Sequence, residues 1–352
     1  MNEIEQKSLL LLVKAAKRKA SDIHIVPNRK NASIYFRVHQ NLQLIEEVSK
    51  SMYEKLVSHF KFSASMDIGE KRKPQSGSME FTFHSELISL RLSTIPTPFQ
   101  ESLVIRLLPQ NETLALEQLP LFYNDSVLLK QLIQKRNGLI IITGPTGSGK
   151  TTTLYSMLMA AKQSEPLHIV TLEDPIEKRT EGFIQMEIND KAGITYNEGL
   201  KAILRHDPDI IMVGEIRDSS TAQLAIRSAM TGHLVLTTMH TKDTVSAIYR
   251  LLELNIPSHD IEQTLVGVIA QRLVERECPF CKEKCQLFCE KVNRKITAIY
   301  EMLLSAELEK VKKSIFHMKP SSVSFRTLQK QLIKAYALGF ITKHSLERWG
   351  EK

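Results

Sequence analysis

The chain has 352 residues, of which 42% are hydrophobic and 24% charged, with a formal net charge of +8 at pH 7. That length suits two domains and that composition an ordinary globular protein. Its apolar runs fall far short of the roughly 20 residues of a bilayer span, and the polar, acidic start Met1–Lys7 has the wrong charge order for a secretory signal, so a cytoplasmic protein is expected.

In chain order, residues 2–20 read as a helix ending at Ser21-Asp22. Strands follow at 22–26 and 32–38, where apolar and polar residues alternate, and again at 42–48 after a turn at Asn41. A helix is expected over 51–60, then strands at 79–83, 87–92 and 103–108. These make a small N-terminal α+β domain, 1–108, followed by a linker at 109–124 opened by Pro109.

From Ser126 strands and helices alternate. Strands are expected at 139–143, 168–172, 183–188, 209–214 and 233–238, with helices at 150–161, 197–205, 219–230 and 244–254. Continuous apolar strands between amphipathic helices indicate a mostly parallel sheet covered on both faces, over 125–275. Ligands of such sheets bind at the carboxyl ends of the strands.

One of those ends carries Gly144-Pro-Thr-Gly147-Ser-Gly149-Lys150-Thr151 between an apolar strand and a helix. This is G-x-x-x-x-G-K-[ST] in its defining context. Glycines let successive N–H groups face phosphate oxygens, and the helix N-terminus adds positive potential. Lys150 supplies a charge for the β- and γ-phosphates, and the Thr151 hydroxyl can hold Mg²⁺. The nucleotide-binding set is Gly144, Pro145, Thr146, Gly147, Ser148, Gly149, Lys150, Thr151 and Thr152, and the expected ligand is a nucleoside triphosphate.

Three further strand ends deliver polar groups: Glu173-Asp174, Glu215 and His240-Thr241. Hydrolysis of a γ-phosphate needs positioning more than covalent help. Glu215 is the candidate to polarise the attacking water; Gly214 stands where an aspartate usually precedes such a glutamate, so metal contact falls to Thr151, waters and Glu173. His240 is placed to sense the γ-phosphate, whereas His233 reads as a packing or turn residue.

The four cysteines, Cys278, Cys281, Cys285 and Cys289, lie within one short segment. In a cytosolic chain such clustering points to metal before disulfides. The alternatives are a four-thiolate Zn²⁺ site, a three-cysteine site with another ligand, and a cluster without metal. From Lys282 to Lys352 there are 15 Lys/Arg against 7 Asp/Glu, so this C-terminal region (276–352 with the cysteines) carries the whole basic excess. It is either a solvated helical surface or a patch for nucleic acid, anionic lipid or an acidic protein.

Together, GPTGSGKTTTLY, TLEDPIE, LRHDPDIIMVGEIRD and TGHLVLTTMHT (starting at 144, 171, 204 and 231) resemble the secretion ATPases of type II secretion and type IV pili. Ser21–Ile25, Leu90–Pro96, Ser102–Leu108 and Ala270–Leu273 extend the likeness. HFKF, MDIGE and RKPQ between 59 and 75, with the ending that includes Arg348-Trp349, are most similar to the family's competence branch.

The resemblance implies a RecA-like P-loop ATPase domain behind a PAS-like N-terminal domain. It implies a homo-hexamer whose ATP hydrolysis drives a competence pilus or pseudopilus for uptake of transforming DNA. It implies a polytopic membrane platform protein as partner and peripheral membrane association through that partner; with aromatics at 6% and no basic–aromatic run there is no single-strand stacking platform, so direct nucleic-acid binding is not expected. Glu173 and Glu215 match the family's acidic catalytic positions, His240 its histidine position, and Arg91 and Arg106 its arginine fingers. Many relatives have Gly-Glu where this chain has Gln100-Glu101, and their paired cysteines are spread more widely. The competing readings are a RecA-like nucleic-acid translocase, a retraction motor of the same family and a non-catalytic scaffold; the last is opposed by Lys150, Thr151, Glu173 and Glu215 occurring together.

Overall fold

The chain folds as two compact units, Met1–Glu112 with Glu177–Arg179, and Thr113–Ile176 with Thr180–Lys352. The computed structural model describes residues 3–38, 41–84, 86–110, 114–189, 192–281, 296–316 and 325–350.

The first unit runs α1 (Glu3–Lys17), β1 (Asp22–Pro27), β2 (Asn31–Val38), β3 (Asn41–Ser49), α2 (Lys50–Ser63), β4 (Gln75–Phe83), β5 (Glu86–Thr97) and β6 (Gln100–Pro109). In α1, Ser8, Leu11, Leu12 and Ala15 are buried at helical spacing, with acids in the first turn and lysines in the last. The Ser49 side chain caps α2 by accepting from the Met52 amide. The strands form an antiparallel sheet in the order β3-β2-β1-β6-β5-β4. Its alternate residues, among them Ile23, Ile25, Ile34, Phe36, Leu90, Leu92, Leu103 and Ile105, pack with Leu56 and Phe60 into one core.

Two charged features mark this unit. Lys61 and Glu101, both almost fully buried, pair at 3.0 Å, and Lys61 also donates to the Glu70 carbonyl at 2.7 Å. Pairing plus the extra acceptor is what permits burial of a charge. Arg37, Asp22, Arg106 and Arg91 occupy register-matched positions on β2, β1, β6 and β5. Arginines directly opposite each other repel; Asp22 offsets part of this by accepting from Arg106 Nε at 2.9 Å.

The second unit runs α3 (Tyr123–Ile133), β7 (Gly138–Thr143), α4 (Lys150–Ser164), β8 (Ile169–Glu173), β9 (Ile184–Glu187), α5 (Tyr196–Ile203), β10 (Ile210–Val213), α6 (Ser219–Met230), β11 (Leu234–Met239), α7 (Thr244–Glu253), α8 (Ser258–Thr264), β12 (Leu265–Glu275), β13 (Ile296–Leu304), α9 (Ser305–Phe316), α10 (Leu328–Ala337) and α11 (Lys343–Trp349). The sheet order is β13-β12-β7-β11-β10-β8-β9, parallel except for β13 against β12.

Alternation places Leu139, Ile141, Val170, Leu172, Ile211 and Val213 on one face, under Leu200, Ala222, Ala225, Ile248 and Leu251 of the helices. Ile140, Ile142, Ile169, Ile210, Met212 and Leu236 face the other way, toward Leu129, Leu132, Leu154, Met157 and Leu158. Burial on both faces is why these strands read as unbroken apolar runs. A third cluster sets Leu328, Leu332, Ala335 and Ile341 against Ala270, Val274 and Ile299. Beyond 275, then, the chain supplies a sheet strand and packed helices as well as the cysteine segment. Among the described residues no helix is long and apolar enough to cross a membrane.

Gln100, at the turn between β5 and β6, has φ +106°, a region that favours glycine. Its side chain donates to Glu54 Oε1 at 2.6 Å, an exposed bond of small net worth. Gln100→Gly is expected to stabilise the unit by roughly 0.5–1 kcal/mol, strain relief outweighing chain entropy and the lost bond. Urea denaturation checks this; a lowered midpoint would refute the strain argument.

Candidate active site

The buried strand β7 ends at Thr143, and the loop that follows turns through left-handed backbone at Gly147 and Gly149 (φ +75° and +83°). A Cβ on Gly149 would stand 2.8 Å from Gln271 Nε2, and one on Gly144 would stand 2.7 Å from the Gln271 carbonyl oxygen. Only glycine lets the loop lie this close to β12. Gly149 is also the N-cap of α4 and has no side chain to occupy the first N–H groups of the helix. Lys150 folds back over the loop, donating to the carbonyls of Gly144 (2.9 Å) and Pro145 (3.1 Å). Ser148 Oγ is buried with no hydrogen-bond partner. A buried unsatisfied hydroxyl in a glycine-rich loop that opens a helix fits a phosphate oxygen. Thr151 is half-buried in the first turn of α4, while Thr146 and Thr152 are exposed.

Behind the loop runs a buried polar chain with a determined direction. Gln271 Nε2 donates to the Ser148 carbonyl at 2.7 Å, and Thr153 Oγ1 donates to Gln271 Oε1 at 2.9 Å. The Thr153 proton is thereby committed, so the Tyr300 hydroxyl, 3.0 Å away, donates to Thr153 Oγ1. Burial raises the Tyr300 pKa and keeps the phenol a donor. The chain thus joins β13, α4, β12 and the loop.

The neighbouring strand ends are tied together by threonines. Thr143 Oγ1 lies 2.7 Å from Thr241 Oγ1 and accepts from the Thr241 amide at 2.9 Å, which brackets His240. Thr238 Oγ1 donates to the Gly214 carbonyl at 2.7 Å, which fixes the backbone before Glu215. Glu215 pairs through Oε1 with Arg217, and its Oε2 stands 3.4 Å from His240 Nε2. Burial, then the Lys150 ammonium, push His240 below its ordinary 6.5 against the opposing pull of Glu215. Its ring is therefore neutral at pH 7. Tyr196 joins this group: burial pushes its phenol up, and the carboxylates of Asp174 and Glu215 push it further, so it stays a donor.

Glu173 ends β8 and is buried. Both its oxygens accept from the Tyr155 hydroxyl (2.7 and 2.8 Å), and Oε1 also accepts from Thr171 Oγ1 (2.7 Å) and Gln185 Nε2 (3.3 Å). The structure thus gathers Lys150, Ser148, Glu215 and His240 at one edge, with Glu173 buried at the end of β8 and bonded by Tyr155, Thr171 and Gln185. Sequence reasoning gave no role to Gln271, Tyr300, Arg217 or Tyr196; the apolar run around Gln271 was the available signal for β12.

Arg91 and Arg106 belong to the first unit, opposite each other on β5 and β6. Arg106 is well exposed even while bonded to Asp22. Cys278 is buried and Cys281 half-buried, whereas Cys285 and Cys289 lie outside the described residues. Among the described residues no three His, Cys, Asp or Glu side chains converge as a metal site, and no step below uses zinc.

A glycine-rich loop between β7 and α4, a lysine over it and a carboxylate with an imidazole at adjacent strand ends define a P-loop ATPase of the RecA-like type. The family profile described as Type II/IV secretion system protein matches residues 2–342, and the chain belongs to that family. It is 46% identical over 351 residues to the Competence protein ComGA of Bacillus subtilis (strain 168), covering 99% of this chain and 98% of that one. It is 43% identical over 274 residues to the Putative type II secretion system protein E of Escherichia coli (strain K12), covering 78% of this chain and 55% of that longer one. Among solved structures, the pilus retraction motor PilT with bound ADP is similar at TM-score 0.71 and 26% identity, covering 98% of this chain and 97% of that one. The Legionella pneumophila ATPase DotB shares the fold at TM-score 0.74 and 21% identity, covering 99% and 95%.

Gln271→Leu leaves the Ser148 carbonyl without its donor and Thr153 without its acceptor. A buried unsatisfied group costs about 1–3 kcal/mol, so ATP affinity should fall by roughly tenfold. Titration with a fluorescent ATP analogue measures this, and unchanged affinity would remove Gln271 from the loop's support.

Proposed function

We propose that this chain is the cytoplasmic ATPase motor that powers assembly of a competence pilus, or a related pseudopilus, for uptake of transforming DNA. The observation that carries the reading is the convergence of Lys150, Glu215 and His240 at one sheet edge, in a chain alike over nearly its whole length to a competence protein. The assembly direction is preferred to retraction because the relatives of higher identity bear competence and secretion names.

In this reading the loop amides, Ser148 and Lys150 bind the triphosphate. The Thr151 hydroxyl holds Mg²⁺, which when bound neutralises phosphate charge. Glu215 accepts a hydrogen bond from the attacking water and so aims it at the γ-phosphorus. Arg217 holds the Glu215 carboxylate in place, and neutral His240 is a hydrogen-bond partner near the γ-phosphate. Glu173, as the resemblance implies, supports the metal's hydration while anchoring Tyr155 and α4 to β8. Arg91 and Arg106 stabilise charge on the transferred phosphoryl group as fingers within a homo-hexamer. The ring acts on a polytopic membrane platform protein, which holds it at the inner face of the membrane. The reading includes a structural Zn²⁺ on Cys278, Cys281, Cys285 and Cys289, supported by their clustering.

The experiment is ATP hydrolysis across protein concentration, with and without DNA, alongside mass in solution. Turnover should rise with hexamer formation and ignore DNA; a monomer stimulated by DNA would favour the translocase reading instead. Lys150→Ala should abolish hydrolysis. Glu215→Gln should bind ATP but turn over at least roughly a hundredfold more slowly, the scale of losing a positioned base. Because the His240 pKa is lowered, turnover should hold across neutral pH and decline only below 6.5, as the imidazole gains its proton. A decline already complete at pH 7 would contradict the neutral form.

A further inference from the structure

The end of the chain comes back to the catalytic edge. Helix α11 is stitched to β12: the Glu275 amide donates to Ser345 Oγ at 2.8 Å, and the Thr342 amide donates to the Glu275 carbonyl at 3.1 Å. The last residue of α11 is the sole tryptophan, Trp349. Its Nε1 donates to the Leu273 carbonyl at 3.0 Å, which fixes the indole beside β12.

The Arg272 guanidinium lies 5.4 Å from the centre of that ring. Its edge carries two directed bonds. Nη1 donates to the Gln271 carbonyl at 2.9 Å, and Nη2 reaches across to the Lys242 carbonyl at 2.7 Å. Lys242 is two residues beyond His240, in the segment between β11 and α7. On its β11 side the segment is tied to β7 through Thr241 and Thr143. On its α7 side Asp243 caps the helix, accepting from the Ser246 amide at 2.7 Å. Arg272 is thus a direct hold on the middle of the histidine loop. A planar guanidinium can stack on an aromatic face and still use its in-plane donors; a lysine ammonium cannot do both in that geometry.

We propose that Trp349, acting through Arg272, is a positioning residue of the hydrolytic site, which fixes the Lys242 carbonyl and so keeps His240 facing Glu215. This rests on the ATPase reading above and adds to it a part for the C-terminal helix. Arg272 Nη1 also stands beside Gly144, but the bonds that hold the P-loop run through the Gln271 side chain, Thr153 and Tyr300, which these substitutions leave in place, so the effect belongs to turnover more than to ATP binding.

The test uses the full chain with Trp349→Ala, Trp349→Phe and Arg272→Lys. Trp349→Ala and Arg272→Lys should each lower kcat by about tenfold with KM for ATP changed less than about twofold. Trp349→Phe keeps an aromatic face and should stay within about twofold of the parent chain. Hydrogen exchange should quicken in the peptide spanning Met239–Asp243 in the two impaired variants and stay unchanged at Ile210–Val213. Parent-like kcat in Trp349→Ala, a kcat loss without faster exchange at 239–243, or Trp349→Phe as impaired as the alanine variant would each overturn the proposal. If Trp349→Ala does not fold, Trp349→Leu, which removes the aromatic face but keeps apolar bulk against β12, takes its place with the same expected and overturning results. Should the parent chain bind ATP but not hydrolyse it, the ATPase reading fails instead, and the exchange comparison still tests the hold of Arg272 on the loop.

Discussion

A loop that turns its peptide N–H groups toward a phosphate turns its carbonyls elsewhere, and those carbonyls need donors of their own. In this protein the donors are Lys150, which bonds the Gly144 and Pro145 carbonyls, and Gln271, which bonds that of Ser148. Gln271 is held in turn by Thr153 and Thr153 by Tyr300. Each such bond contributes only about 1 kcal/mol net, but leaving one buried partner unmet costs about 1–3. The chain is therefore worth more as a unit than as separate contacts. The shape of the phosphate loop depends on β12 and β13, far from it in sequence.

The catalytic edge follows the same logic at lower burial. Parallel strands end at the same level, so any residue just beyond each end is brought near its neighbours. Proximity alone does not aim a side chain. Here the aiming is done by threonine hydroxyls that bond the neighbouring strand end's backbone, Thr143 accepting from the Thr241 amide and Thr238 donating to the Gly214 carbonyl. Glu215 then meets His240 and Arg217 with little freedom left. The lowered pKa of His240 comes from its surroundings, chiefly burial and the Lys150 ammonium.

Much of this was legible in the residues. The apolar runs of β7, β8, β10 and β11 announced a sheet buried on both faces, and the lysine-bearing loop announced its ligand. What stayed hidden has physical causes. The first unit's strands β4 and β5 extend beyond the expected 79–83 and 87–92 because their ends, Gln75-Ser-Gly-Ser78 and Ser93-Thr94, lack the apolar alternation used to find them. Strands β12 and β13 were missed because charge and cysteines drew the eye to a tail, although Val268, Ile269, Ala270, Ile299 and Leu303 are fully buried. The supporting roles of Gln271, Tyr300 and Tyr196 depend on tertiary neighbours, and no local pattern encodes them. Glu173 was read as a metal or water ligand; that its oxygens are taken up by Tyr155, Thr171 and Gln185 is visible only in three dimensions.

The cysteine segment leaves the sheet at Glu275 and returns at Ile296, and these two residues are paired partners in the β12–β13 ladder. Its two ends are therefore fixed side by side by the sheet itself. For a segment closed in that way, doubling the length costs only about 0.6 kcal/mol of closure entropy. A change in the length of 282–295 is accordingly cheap for the nucleotide site, whereas Arg276, Glu277 and Cys278 stay tied to the fold through the Arg276–Ile341 bridge, the Glu277 amide on the Phe340 carbonyl and the burial of Cys278. The compressed cysteine spacing of this chain is a length change of the kind that closure between paired strand ends tolerates.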